Sequence, residues 1–364
     1  MRLTLTSSLQ AGDRLGKTIY NDNGKILLSS GVHLTERMIE RLADFHITYV
    51  YIEDADTADI ESHYPIPEEL RVEAVKSIKK SFRDAQDSET LKKGFVFEKS
   101  AQEMNGIVRS IMMELQQHKE AITLLSDVFT YDDYIFTHSL NVTMYALTLG
   151  KQLQLPYNKL EKLGMGAILH DVGKMMVPRE VLLKPGKLTN SEFELIKTHA
   201  EAGFELLRSS REIPLVAAHC AFQHHERLDG SGYPRGLVGD DIHDFGKILA
   251  IADVFDAITS NRVYRNAMLP HEGLEIIYSG AGTLFDQHMV EAFRKCIAIY
   301  PNGLSIELND GRKGVVVRQN PSLCDRPIVR IFEENGLELP DKYDIDLAKE
   351  LNVVVKNCDT ISVS

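Results

Sequence analysis

Five segments of the chain set histidine or aspartate among apolar residues: His138 in IFTHSLNV, the pair His170-Asp171 in AILHDVGK, His199, the pair His224-His225, and Asp253 in AIADVFDA. Polar groups facing a core need partners. Neutral imidazoles and carboxylates that converge from five segments satisfy one another by binding metal. Imidazole suits iron, zinc, nickel and copper, and carboxylate suits magnesium and manganese, so the mixed set points to iron or manganese, with zinc behind them. One carboxylate has two oxygens, so Asp171 can bridge two ions while His170 ligates one. A pair of ions held in this way makes a hydroxide nucleophile available and clamps a phosphoryl group. A single His on an apolar helix face is more often a hydrogen-bonded core residue. Five ordered elements within residues 138–253 shift that balance to metal. The histidines at 33, 46, 63, 118, 271 and 288 lack such a context and read as solvated, while His219 and His243 are intermediate, and His219 fits no ligand slot.

The elements that must position these groups are helical. From about 120 to 300 the pattern is helical nearly throughout. Thr189 with Glu192 forms a capping box that opens a helix with Phe193, Ile196, Ala200 and Leu207 on one side. Pro214 suits the first turn of the next helix, and the glycine-rich run 228–236 is a loop. Ahead of this region, Leu70, Ala74, Ile78 and Phe82 recur at helical spacing, as do Met104, Ile107, Val108, Ile111 and Leu115. The first 55 residues read as a small α+β unit. Asn23-Gly24 marks a hairpin, Thr35 caps a helix carrying Met38, Ile39 and Leu42, and Ile47 to Ile52 returns to the sheet. At the other end, Asn309-Asp310-Gly311 turns a second hairpin, and Pro327 to Phe332 is a further strand. The expected fold class is mainly α. Residues 1–60 form the α+β unit, 61–119 a helical connector, 120–300 the catalytic domain and 301–364 a β-rich extension.

Composition narrows the function. A chain of 364 residues favours two or three units. It has no apolar h-region behind Met1 and no run of 18 apolar residues, so neither a signal peptide nor a membrane span is expected. Cys220, Cys296, Cys324 and Cys358 lie far apart without CxxC spacing, which fits a reducing cytoplasm. A net charge of −12 disfavours an extended nucleic acid. A small anion remains a suitable ligand, because between His170 and Leu188 the cations Lys174, Arg179, Lys184 and Lys187 outnumber Asp171 and Glu180.

These residues resemble the HD-GYP family of the HD phosphohydrolases. His170-Asp171 matches the HD signature, with Gly173-Lys174 after it, and Gly232-Tyr233-Pro234 matches the GYP triplet. The stretch from Asp253 to Ser260, then Arg262 and Tyr264-Arg265, matches a third block. The resemblance covers about residues 120–300. It implies an HD-type helical bundle that hydrolyses cyclic di-GMP to pGpG and/or GMP. It also implies that His138, His170, Asp171, His199, His224, His225 and Asp253 are metal ligands, with Asp171 the bridge. By the same resemblance Lys174 contacts a phosphate, Tyr233 and Pro234 shape the substrate loop, and Arg262 and Arg265 hold the dinucleotide. Some relatives carry a Glu one turn before the first His and bind a third metal; Tyr134 stands there, which favours two divalent ions. Phe285-Asp286-Gln287 lacks the family's Pro. The rivals are a phosphodiesterase for another cyclic dinucleotide and a non-catalytic cyclic-dinucleotide sensor or scaffold. Retention of all seven ligands speaks against the sensor. The helices at 67–83 and 98–118 invite a homodimer, and the terminal units invite protein signalling partners.

Overall fold

The computed structural model describes residues 1–20, 26–45, 47–60, 64–87, 93–117, 134–184, 186–260, 267–320 and 323–358. The N-terminal unit holds strands β1 (Arg2–Leu5), β2 (Ile19–Tyr20), β3 (Ile26–Leu28) and β4 (Tyr49–Ile52), with helix α1 (Glu36–Asp44) before β4. Thr35 caps α1 through its hydroxyl, which accepts from the Met38 amide at 3.3 Å. The β2 and β3 strands pair antiparallel as the Asn-Gly signal predicts, although the turn itself lies outside the described residues. The expected return of 47–52 to that hairpin is corrected. Strand β4 pairs instead with β1, Leu3 opposite Tyr51, a partner 48 positions away that no local signal marks.

Two long helices follow, α2 (Glu68–Asp87) and α3 (Lys93–Gln117). Ala74, Ile78 and Phe82 on α2, and Met104, Ile107, Val108, Ile111 and Leu115 on α3, are buried in the same apolar core as the helices after them. Those helices are α4 (Tyr134–Gln152), α5 (Tyr157–Leu169), α6 (Arg179–Leu182), α7 (Asn190–Arg208), α8 (Leu215–Gln223), α9 (Asp244–Thr259), α10 (Pro270–Ser279) and α11 (Gln287–Arg294). A helix apolar all round must be central, and two are: Ile135 to Leu147 of α4 and Phe245 to Asp253 of α9 are buried without a break. The last seven residues of α5, Leu163 to Leu169, are buried as well. Among the described residues, no helix is long and apolar enough to cross a membrane.

The chain ends in a five-stranded antiparallel sheet of β5 (Ser305–Leu308), β6 (Lys313–Arg318), β7 (Ile328–Glu334), β8 (Leu337–Asp346) and β9 (Val355–Asn357), in the order β8-β7-β6-β5-β9. The hairpin at Gly311 (φ +86°) and the strand after Pro327 form as expected. Leu3 and Tyr51 of the N-terminal unit join the core of this sheet, and Arg330 pairs with Asp59 at 2.6 and 2.8 Å, so the two terminal units pack together.

Candidate metal centre

The central helices deliver the predicted side chains to one point. His138 projects from the second turn of α4, and His170 closes the C-terminus of α5 with Asp171 next to it. His199 comes from the middle of α7, His224 from the C-terminus of α8 with His225 following, and Asp253 from α9. The ligand atoms of His138, His170 and Asp171 lie within 4.8 Å of one another, and so do those of Asp171, His199, His224 and His225. The two groups share Asp171 and divide its oxygens. Oδ1 faces His199 Nε2 (3.5 Å) and His224 Nε2 (3.7 Å), while Oδ2 faces His170 Nε2 (3.4 Å) and His138 Nε2 (3.6 Å). Asp253 spans the same pair of groups, with Oδ1 3.0 Å from His138 Nε2 and Oδ2 3.6 Å from His225 Nδ1.

The outer atoms fix which nitrogen faces inward. His170 Nδ1 lies 2.7 Å from the Ala167 carbonyl, His199 Nδ1 2.6 Å from that of Ile196, and His224 Nδ1 3.1 Å from that of Cys220. A carbonyl only accepts, so each Nδ1 carries the proton and each Nε2 offers a lone pair to the centre. His138 Nδ1 is held in the same way by Asp256 Oδ2, at 2.6 Å. The inward atoms His138 Nε2, His170 Nε2 and Asp171 Oδ1 are buried and make no hydrogen bond. Orphaned lone pairs of this kind are expensive unless a cation takes them up, so the donor set fits divalent metal. Ionisation agrees. Burial holds the His199 imidazole down at about 4 against the pull of Asp171, and drives those of His224 and His225 well below the ordinary value. For Asp171 burial opposes charge, but Lys174 and His170 outweigh it and hold the carboxyl well below the usual range. Asp253 is held low by His138 and His225, again against burial. Near neutral pH the carboxylates are therefore charged and these three imidazoles neutral, the states that metal requires.

Two glycines let the backbone pass close to the site. The single-turn 3-10 helix Val172–Met176 lies against α7 so tightly that a Cβ on Gly173 would meet the His199 carbonyl oxygen at 2.0 Å. A Cβ on Gly232 would meet the Arg227 amide nitrogen at 2.4 Å. The loop after His225 is pinned by Glu226, a buried carboxylate that accepts from the Arg235 and Leu237 amides, each at 2.9 Å. This presents Tyr233, whose ring stacks on His225 with centroids 4.6 Å apart, while Pro234 stays exposed.

Some expectations change. Phe193 is not on the buried face of α7; it is 45% exposed, because the first turns of α7 run past the core. Its ring lies 6.4 Å from that of Tyr233, with Lys197 Nζ 4.8 Å from the Phe193 centroid. The cation excess after His170 is reduced by pairing: Lys174 Nζ bonds Asp171 Oδ2, and Lys184 bonds both oxygens of Glu192, on the capping box of α7. Arg262 and Arg265 lie outside the described residues. Sequence reasoning missed Asp256, Asn141 and Glu226 as supports. Asp256 stands three residues after Asp253 on one helix face, a spacing that could have flagged it. His243, left intermediate, caps α9 by accepting from the Phe245 amide at 3.0 Å.

Comparison with known proteins agrees with this geometry. The HD domain model matches residues 108–289, half of the chain, and a model described as a KOW domain associated with HD domain matches 305–362. A cyclic di-GMP phosphodiesterase of Pseudomonas aeruginosa is 36% identical over 234 residues, which is 64% of this chain and 56% of that protein. The cyclic di-GMP phosphodiesterase response regulator RpfG of Xanthomonas campestris pv. campestris is 40% identical over 179 residues, 49% of this chain and 47% of that one. A 3'3'-cGAMP-specific phosphodiesterase of Vibrio cholerae serotype O1 is 39% identical over 155 residues, 42% of this chain and 30% of that one. The chain thus spans about half the length of the first two relatives. Since the segment matched by the HD domain model holds all seven converging side chains, the chain belongs to the HD domain family.

Proposed function

We propose that the chain is a metal-dependent phosphodiesterase that hydrolyses cyclic di-GMP to pGpG or on to GMP. The observation that carries this reading is the pair of ligand groups meeting on the two oxygens of Asp171. His138, His170 and Asp171 would hold one divalent ion, and Asp171, His199, His224 and His225 a second, with Asp253 serving both. Iron or manganese suits this mixture of imidazole and carboxylate. Ions bound there supply Lewis-acid charge to phosphoryl oxygens and lower the pKa of water.

The chain's own groups do the rest. The Nδ1 hydrogen bonds keep the imidazoles of His138, His170, His199 and His224 rigid and in one tautomer before substrate arrives, so little reorganisation accompanies reaction. Lys174 stands beside Asp171 and, kept charged by that carboxylate against its burial, adds positive charge where a phosphate would lie. Tyr233, braced on His225, walls the site, and exposed Phe193 with half-buried Lys197, which pairs with Glu194 at 2.6 Å, extends that wall toward solvent with an aromatic face and a cation suited to a nucleotide. Arg262 and Arg265 are proposed to grip the dinucleotide. In the overall hydrolysis a water oxygen bonds to phosphorus, the bond from phosphorus to the 3′-oxygen breaks, and that oxygen takes up a proton. The free cysteines, three of them buried, fit a cytoplasmic setting.

Similarity to a 3'3'-cGAMP-specific phosphodiesterase supports a second substrate, the hybrid dinucleotide. The test is incubation of anaerobically purified, metal-quantified protein with cyclic di-GMP, cyclic di-AMP and 3′3′-cGAMP, with products identified by mass spectrometry. Faster loss of cyclic di-GMP, giving pGpG or GMP, is expected. Preference for 3′3′-cGAMP would favour the second substrate, and metal-loaded protein that binds a cyclic dinucleotide without consuming any would make the chain a sensor.

A further inference from the structure

We infer that Tyr64, in the segment just before α2, is a positioning residue for the ligand His138; the inference rests on the metal-centre reading. The Tyr64 hydroxyl donates to Asn141 Oδ1 at 3.1 Å. Asn141 Nδ2 donates to Asp256 Oδ1 at 3.0 Å, and Asp256 Oδ2 holds His138 Nδ1 at 2.6 Å. Asn141, Asp256 and His138 are all buried. Ser260 Oγ gives Asp256 Oδ1 a second donor at 2.9 Å, so both oxygens of this carboxylate are committed and its plane is fixed.

The Asp256 carboxylate, which only accepts, decides which way round the Asn141 amide sits, and the Tyr64 hydroxyl holds that orientation by donating to the other end. A hydroxyl donating to Oδ1 leaves Nδ2 as the end that meets Asp256, and only that end can donate to a carboxylate. Without the hydroxyl, Asn141 Oδ1 loses a partner inside the protein, and the amide gains freedom to turn away. The aim of His138 Nε2 then loosens, since outer partners of metal-ligating histidines orient the ring. Tyr64 is linked to the N-terminal unit through Arg71 of α2. The buried Arg71 guanidinium, paired with Glu68 at 2.6 and 2.8 Å, lies 5.9 Å from the Tyr64 ring centroid and 5.8 Å from that of Tyr20 on β2. A contiguous set of contacts thus joins the N-terminal unit to a metal ligand, through a residue that precedes the segment 108–289 matched by the HD domain model.

The experiment titrates metal-free protein with Mn²⁺ and reads the free ion by electron paramagnetic resonance. Wild type, Tyr64→Phe, Asp256→Asn and the double variant are compared, with circular dichroism checking that each is folded. Tyr64→Phe keeps the ring and removes only the hydroxyl. It is expected to weaken one of two ions about fivefold, the effect of one typical hydrogen bond. Asp256→Asn is expected to weaken the same ion by about tenfold or more. Adding Tyr64→Phe to Asp256→Asn should change nothing further, because Tyr64 acts through that carboxylate. Identical titrations of Tyr64→Phe and wild type overturn the inference, as does a full additional weakening in the double variant. Wild type that binds no Mn²⁺ overturns the metal-centre reading and the inference together, whereas two ions in wild type with Tyr64→Phe unchanged removes the inference alone.

Discussion

Asp171→Ala is expected to reduce turnover of the cyclic dinucleotide by about 10³-fold or more, equivalent to about 4 kcal/mol of lost transition-state stabilisation. Among the described residues, no other side chain presents one oxygen to His199 and His224 and the other to His138 and His170. Removing the carboxylate takes a ligand from both groups at once. It also leaves Lys174, buried against Asp171, without its counter-charge. Breaking a buried pair from one side typically costs about 3–5 kcal/mol, so urea denaturation of metal-free Asp171→Ala should show a loss of that order. Initial-rate assays with metal in excess check the first effect. Variant protein that still linearises the substrate at wild-type rate would remove Asp171 from the machinery.

Gly173→Ala is expected to act on the same centre without altering any ligand side chain. The added Cβ would lie 2.0 Å from the His199 carbonyl oxygen and 2.5 Å from the Gly203 amide nitrogen, both backbone atoms that no rotamer change can clear. Ordinary contact begins near 3.4 Å, so α7 must retreat by more than 1 Å and take His199 with it. Overpacking of this kind costs about 3 kcal/mol, and a 1 Å misplacement near reacting groups lowers rate about 100-fold. Gly106→Ala is the control. Gly106 is exposed on α3, and the methyl that alanine adds there meets no described atom within 4 Å, so the change should be neutral or stabilising by up to about 1 kcal/mol. Denaturant midpoints and turnover of the two variants, measured side by side, should diverge in both respects; Gly173→Ala behaving like Gly106→Ala would show that α7 tolerates the displacement.

What the sequence made legible was chiefly what is local or chemically rare. Seven His and Asp side chains among apolar residues had few ways to be satisfied, and the structure brings all seven together. The capping box at Thr189 was readable because both partners lie within one turn. Supports that depend on distant partners were not readable. Asn141 and Asp256 meet across 115 positions, and β1 meets β4 from opposite ends of the N-terminal unit. Phe193 misled because apolar spacing along α7 continues past the point where the core ends. Strand β8 was missed although Asn335 and Gly336, with φ of +52° and +77°, turn the hairpin that leads into it. Its residues are largely exposed, so they show no apolar alternation, and only the Asn-Gly turn signalled it.

Elemental analysis of protein purified without oxygen, set against the chain concentration, bears most directly on the site as a binuclear centre. Two divalent ions per chain are expected, with both lost in Asp171→Ala. A wild-type chain that takes up one ion or none under metal-replete conditions would contradict the sharing of Asp171 between two ions, and with it the proposed hydrolysis.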